Sequence, residues 1–343
     1  MSISDYMSGL LRFVGNPFEA PLYGAYHLGA LGPGAFGAIT AGGFANGALA
    51  ATTRSAAVPV KTEADGSALV GASGGLQFHL VWDSSVSSAP AGFKAAAIAA
   101  AGFYTQMYSN SEVINIHMGW GEADGISISG SELSGSVRPG LYQRYASVYG
   151  ALMKDAGSSS FQAQADSTLP TTDPLGAQLY YVPNAEAKTL GLLSSAGTEI
   201  DGYIGMSSSL PLDFIEPTAA GQYDAVGALE HEISEVMGRV GSVGAAYGAG
   251  VYTPLDLFRY SAPGVRATSI SAPSPNFSIN GGKTDLGNYA KSPDYADWVN
   301  TVRGDAYGGA TLGTTLSVTS NDLIENAVLG YKFTAAGLAA ANA

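Results

Sequence analysis

Cysteine is absent from the 343 residues. Its absence excludes disulfides, thiol nucleophiles and cysteine-ligated zinc. Histidine is scarce, with His27, His79, His117 and His231 the only four. A metal site must therefore combine one or two imidazoles with carboxylates, tyrosines or backbone oxygens. Charged residues make up only 13% of the chain, and basic ones least: 15 Lys and Arg against 28 Asp and Glu give a formal charge of −13. Phosphate affinity comes from Lys and Arg, so an acidic chain with no basic cluster points away from nucleic acid and from anionic membrane surfaces. Long apolar runs are also missing. The most apolar early stretch, "HLGALGPGAFGAITAGGFANGALAA", is broken by Pro33 and by glycines, so no membrane span is expected. No basic region precedes it, and no cleavable secretory signal is visible. Low charge, acidity and Gly/Ala/Ser richness favour a secreted or extracellular protein exported without such a signal. A cytoplasmic protein is the alternative.

Hydrophobic residues account for 46% of the sequence, enough for a sizeable core and for one large domain with appendages, or two domains. Residues 1–75 read as a Gly/Ala-rich N-terminal appendage with no clean period, either a loosely packed segment or a pro-segment covering an active site. Within it, "EADGSALVGASGG" (63–75) reads as a linker, and His27 as a solvated side chain. Ordered structure is expected over 76–332, and residues 333–343 as a flexible tail.

"LQFHLVWD" alternates Leu76, Phe78, Leu80 and Trp82 with polar or smaller neighbours, the period of a half-buried strand. Phe93, Ala97, Ala100, Tyr104 and Met107 then fall on one helical stripe. "EVINIHMGW" (112–120) reads as a second strand. "GLYQRYASVYGALMKDAG" reads as a helix with Leu141, Tyr145, Val148 and Leu152 on one side. "AQLYYVP" and "DGYIGMSSS" read as short strands around a small helix, and "TSNDLIENAVLGY" as a last helix opened by a Thr319/Asp322 capping box. Strands and helices in this mixture predict an α+β fold, a mixed twisted sheet with helices packed on it.

The chemistry concentrates in "AVGALEHEISEVMGRVG" (225–241). Val226, Leu229, Ile233 and Met237 form a buried stripe. His231 and Glu235 are four apart and share a face, so both can reach one metal ion. Glu232 lies about 100° around the helix from His231, placed to take a proton from an attacking water. Two ligands one turn apart with a base between them is the logic of the HExxH zinc hydrolases, here with Glu235 where the second histidine stands. Carboxylate is an accepted zinc ligand, although carboxylate-rich sites also suit harder ions. The competing reading pairs Glu235 with Arg239, also four residues apart, as an ordinary helix ion pair. His79 and His117 read as surface or core histidines. "GWGEADG" (119–125), with Glu122 and Asp124, reads as a turn and lacks regular calcium-loop spacing.

"HEISEVMGR", with Gly238 six residues after Glu232, resembles the metzincin zinc-protease helix, HExxHxxGxxH. The runs "LPTTDP", "LYYVPNAEAKTLGL", "IDGYIGMSSS", "GQYDAVGALEHEISEVMGR", "YTPLDLFRYSAPGVR" and "NDLIENAVLGY" look like a bacterial metzincin-like metalloprotease family, over roughly Leu76 to Tyr331. The resemblance implies a metzincin-like fold, a zinc-dependent endopeptidase, Glu232 as general base, and His231 and Glu235 as zinc ligands. It also implies that "DGYIGMSSS" could be an edge strand that holds an extended peptide, against the plain reading as a core strand. The sequence departs from the pattern in three ways. Glu235 replaces the second histidine, Gly241 stands where the third ligand would be, and no methionine follows Met237. The missing ligand is then expected downstream, at Asp256 in "YTPLDLFRYS", with Tyr260 and Tyr252 as further candidates. Asp256 reads equally well as a turn residue or as a partner of Arg259 or Arg239. The expected partner is a protein or peptide substrate, and self-association is left open. The alternative is a catalytically degenerate scaffold of the same type, acting as an extracellular binding, surface-assembly or structural protein.

Overall fold

The computed structural model describes residues 29–31, 58–128, 131–291, 294–299 and 303–343. His27 and most of the Gly/Ala-rich start lie outside the described residues. Ten strands build two of the sheets: β1 (Gly29–Leu31), β2 (Val60–Thr62), β3 (Ala68–Val70), β4 (Gln77–Trp82), β5 (Val113–Trp120), β6 (Ser134–Val137), β7 (Gly140–Gln143), β8 (Leu179–Pro183), β9 (Gly202–Met206) and β10 (Val251–Tyr252). The main sheet has seven strands in the order β1-β6-β9-β5-β4-β3-β2, and the second has three, β10-β8-β7. The main sheet is mixed. β4, β5 and β9 run parallel, while β6 and β3 are antiparallel to their neighbours. Alternation put Phe78 and Leu80 inward on β4, and both are fully buried.

Among the described residues the α-helices are α1 (Phe93–Met107), α2 (Tyr145–Asp155), α3 (Ser160–Asp166), α4 (Asn184–Thr189), α5 (Ala225–Val236), α6 (Ser320–Val328) and α7 (Ala335–Ala341). The α+β mixture expected from the sequence is present. The stripe Phe93, Ala97, Ala100, Tyr104 and Met107 is buried along α1, which packs against α5. The alanines allow the two helices to approach closely, and the Tyr104 hydroxyl donates to the Glu230 carbonyl of α5 at 2.8 Å. Each large apolar side chain buried here, such as Leu229 or Ile233, contributes about 1.5–3 kcal/mol of transfer free energy.

Three expectations are corrected, and one choice between two readings is decided. The presumed linker at 63–75 contains β3, and β2 precedes it, so the sheet begins before residue 76. Leu141 lies on β7, paired with Val182 of β8, and not on the helix that starts at Tyr145. Of the two readings of "DGYIGM", the plain core strand holds and the edge strand does not: it is β9, paired on both sides, with β5 and β6. The C-terminal tail is a packed helix, α7. A Cβ on its Gly337 would come 2.0 Å from the Met107 carbonyl, so small residues let it close against the end of α1.

Candidate metal centre

Asp224 opens α5 by accepting from the amides of Val226 and Gly227 at 3.0 and 3.2 Å, a standard N-cap. Gly238, at φ +120°, lets the chain turn off the end of the helix. The stripe Val226, Leu229, Ile233 and Met237 is buried as expected, but so is the polar face: His231, Glu232 and Glu235 are each fully buried. A helix enclosed on all sides must satisfy its polar groups inside the protein.

β6 supplies part of that satisfaction. Residues two apart on a strand share a face, and both serines of "SGSV" use it. The Ser134 hydroxyl donates to Glu232 Oε1 at 2.7 Å. The Ser136 hydroxyl donates to Glu235 Oε2 at 2.6 Å, an oxygen that also accepts from the Arg138 guanidinium. The other oxygens, Glu232 Oε2 and Glu235 Oε1, have no hydrogen-bond partner among the described residues. Burial pushes the Glu235 carboxyl up, but Arg138 and then His231 outweigh it and hold the group well below the usual carboxylate range. Burial, and next the Glu235 charge, push Glu232 up to about 8.

The segment 294–297 closes the far side. It is tied down through its carbonyls, with the Arg239 guanidinium donating to Ala296 O at 3.0 Å and Arg259 donating to Tyr295 O. Gly241 makes room for it, since a Cβ there would lie 3.0 Å from Tyr295 Cβ and 3.4 Å from Ala296 N. The segment thus fills the space beside the position where the metzincin pattern places its third ligand.

One ligand atom from each of His231, Glu235, Asp294 and Asp297 lies within 4.8 Å of the others, and this cluster could hold a metal ion. His231 Nε2 is 3.4 Å from Glu235 Oε1 and 3.3 Å from Asp297 Oδ1. Metal–ligand bonds of about 2.0–2.1 Å in a tetrahedron separate neighbouring ligand atoms by about 3.3–3.4 Å, so the spacing suits such a site. The Nδ1 of His231 lies 2.8 Å from the Ala306 carbonyl. A carbonyl can only accept, so Nδ1 carries the hydrogen and Nε2 is the atom left to face an ion, the usual orientation of a ligating imidazole. With no ion, burial lowers the imidazole's proton affinity, but Asp297 and Glu235 outweigh it and hold it above its ordinary value. Nε2, Glu235 Oε1 and Asp294 Oδ2 are all buried and, among the described residues, without a hydrogen-bond partner. Burial raises the carboxyls of Asp294 and Asp297. Four carboxyls, Glu232, Glu235, Asp294 and Asp297, thus gather around two guanidiniums, Arg138 and Arg239, with three of the four raised by burial, and a divalent cation would favour their charged forms.

Arg239 qualifies that fit. Its Nη1 donates to Asp297 Oδ1, the oxygen that faces His231, at 3.0 Å, and its Nη2 lies 3.7 Å from Glu235 Oε1. Both alternatives read for Glu235 are thus represented: the carboxylate adjoins His231 and also the Arg239 guanidinium, which stacks on the Tyr307 ring at 4.4 Å.

The other candidate residues lie elsewhere. Asp256 is not in the cluster. Its carboxylate accepts from the amides of Ser242, Val243 and Thr253 at 3.0, 3.1 and 2.9 Å, so it staples the turn after α5. Tyr252 donates to the Thr268 carbonyl, and Tyr260 to the Thr168 hydroxyl. His79 is bonded to the Ser67 hydroxyl and His117 to Asp83, each at 2.8 Å. Sequence reasoning missed Asp294, Asp297, Ser134, Ser136 and Arg138. The alternating serines followed by Arg138 in "LSGSVRP" were the one available signal, a strand-length run with polar residues on a single face.

Comparison with protein-family models, curated proteins and solved structures finds no match.

Proposed function

We propose that the chain is a zinc-dependent endopeptidase in which His231, Glu235 and Asp297, with Asp294 beside them, hold the ion and Glu232 acts as general base. The observation that carries this reading is Nε2 of His231, without a hydrogen-bond partner among the described residues and 3.3 and 3.4 Å from two carboxylate oxygens, with Nδ1 tied to a carbonyl. When bound, zinc would supply Lewis acidity toward a peptide carbonyl and toward water. Glu232 is held through Oε1 by Ser134, and with a cation beside it favouring the carboxylate form its Oε2 would take the proton of the attacking water. The same group can return it to the leaving amine, so that water adds across the C–N bond. Acidity and low charge support a secreted or extracellular setting.

A second reading has its own observation. Arg138 and Arg239 already contact Glu235 and Asp297, and His231 and Glu232 are fully buried. These features suit a non-catalytic scaffold with a neutralised relic of a metal site, used for extracellular binding, assembly or structure.

Metal analysis of the purified protein separates the two. The peptidase reading expects about one zinc per chain, lost in His231→Ala. It also expects Glu232→Gln to keep the metal while cleavage of an unstructured labelled protein falls by about 10²–10⁴-fold. Protein that takes up no metal from zinc-containing buffer supports the scaffold.

A further inference from the structure

The capping box that opens α6 uses only half of its acid. The Thr319 amide donates to Asp322 Oδ2 at 2.7 Å, and one carboxylate oxygen completes such a cap. The other oxygen, Oδ1, accepts from the Trp298 indole Nε1 at 2.6 Å, 24 residues back along the chain. Both side chains are buried, so this charge-assisted bond is shielded from water and strong for its kind. The helix cap does not require it.

Trp298 directly follows Asp297. It lies on the second of two stretches, 288–290 and 297–299, that pair antiparallel, with Tyr289 opposite Trp298. The Val299 amide donates to Asn288 O at 2.8 Å, and the Ala290 amide to Asp297 O at 2.6 Å. α6 holds both stretches. Glu325, one turn after Asp322, accepts from the Tyr289 hydroxyl at 2.5 Å, and the Tyr289 and Trp298 rings stack at 4.9 Å. A Cβ on Gly287 would lie 2.8 Å from the Trp298 ring, so the indole has little room to turn. The Trp298 amide donates to the Tyr307 carbonyl at 2.9 Å. The residue before Tyr307 is Ala306, whose carbonyl meets His231 Nδ1. Two settings of the cluster therefore run through Trp298: where Asp297 stands, and where the carbonyl that orients His231 stands. Among the described residues Asp322 bonds to Thr319 and Trp298 and not to the cluster itself.

We propose that Asp322 is a positioning residue of the metal centre: one oxygen closes the cap of α6, and the other fixes Trp298 and, through it, both Asp297 and the Ala306 carbonyl that orients His231. A metal–ligand distance tolerates about 0.2 Å, so a small shift of Trp298 is felt at the ion although Asp322 never touches it. The proposal rests on the peptidase reading for the assignment of His231 and Asp297 as ligands. The placement of His231 is measurable without any metal.

The test uses the full chain and the variants Trp298→Phe, Asp322→Ala, the two combined, and Thr319→Ala. Two quantities are read. One is the exchange rate of the His231 Nδ1 proton, by NMR of metal-free protein labelled at its four histidines. The other is zinc affinity, by competition with a chromophoric chelator. Trp298→Phe removes the indole donor and leaves the cap. It should speed exchange of the histidine proton roughly tenfold or more and weaken zinc binding by about 10–100-fold. Asp322→Ala should do the same, and the combined variant no more than Asp322→Ala alone, since both changes remove one bond. Thr319→Ala weakens the cap but leaves the acceptor of Trp298 in place, so it should lower the melting temperature and change neither quantity. Unchanged histidine exchange in Trp298→Phe overturns the proposal. A combined variant clearly worse than Asp322→Ala also overturns it, because the effect would then come from the lost volume of the indole. Thr319→Ala matching Asp322→Ala in both quantities would reduce Asp322 to a helix cap. If Asp322→Ala does not fold, Trp298→Phe and Thr319→Ala decide between the same outcomes. If the wild type takes up no zinc, the peptidase reading falls, and the histidine exchange by itself supports or overturns the positioning of His231.

Discussion

A carboxylate saturated by backbone amides is a poor metal ligand, whereas one with a buried oxygen facing an imidazole nitrogen is a good one. Asp256 and Asp297 differ in this way. Asp256 accepts from Ser242, Val243 and Thr253, and Asp297 faces His231 Nε2 at 3.3 Å. The two carboxylates therefore respond differently to loss of charge. Asp297→Asn is expected to weaken zinc binding by roughly tenfold or more, measured by competition with a chromophoric chelator. Asp256→Asn should leave zinc affinity unchanged and lower unfolding free energy by about 1–3 kcal/mol, because the amide nitrogen of Asn cannot accept where an oxygen did. The reverse pattern would restore Asp256 as the ligand. His231, Glu232 and Glu235 were legible because helical spacing places them on known faces. Asp294 and Asp297 were not, because they lie some sixty residues along the chain in an irregular segment where no period announces which way a side chain points.

At the scale of elements, the site is the meeting of α5, β6 and the 294–297 segment. The first was readable from a 3.6-residue period and the flanking Asp224 and Gly238. The second was hidden because a strand of Ser and Gly lacks the apolar alternation that reveals a half-buried strand. The third is brought in by Arg239 and Arg259 reaching its carbonyls, contacts that only the folded chain creates. Gly241 is the joint between helix and segment, and a methyl group there would press on Tyr295 at 3.0 Å. The segment must yield by a few tenths of an ångström, comparable to the tolerance of about 0.2 Å on a metal–ligand distance. Gly241→Ala is therefore expected to lower zinc affinity severalfold while the melting temperature of the metal-free protein changes little. An unchanged affinity in the chelator competition would mean that the segment does not set the ligand geometry.

For the whole molecule, the dominant electrostatic fact is an excess of acid, part of it folded inward. Burial pushes Asp166 up to about 7, with the charge of Asp155 adding to the effect. Burial also pushes Glu325 up to about 8 and Glu186 well above the ordinary carboxyl range. Asp166 ends α3, is 1% exposed, and has no hydrogen-bond partner on either oxygen among the described residues. A carboxyl raised in the folded state keeps its proton where the unfolded chain has already lost it. The folded protein then binds more protons, and stability falls as pH rises between the two values. For Asp166 the fall runs from about pH 4, the unfolded value, to about pH 7, and then levels off. The protein should therefore be more stable near pH 5 than near pH 8, opposite to a protein held by ionised, salt-bridged carboxylates. Asp166→Asn removes one titrating group and keeps the shape. Melting curves of the chelator-treated protein between pH 4.5 and 8 should show a shallower decline in the variant, with its advantage over wild type largest at pH 8. Parallel curves for the two proteins would show that Asp166 is ionised in the folded state, and that its surroundings accommodate the charge by drawing in water.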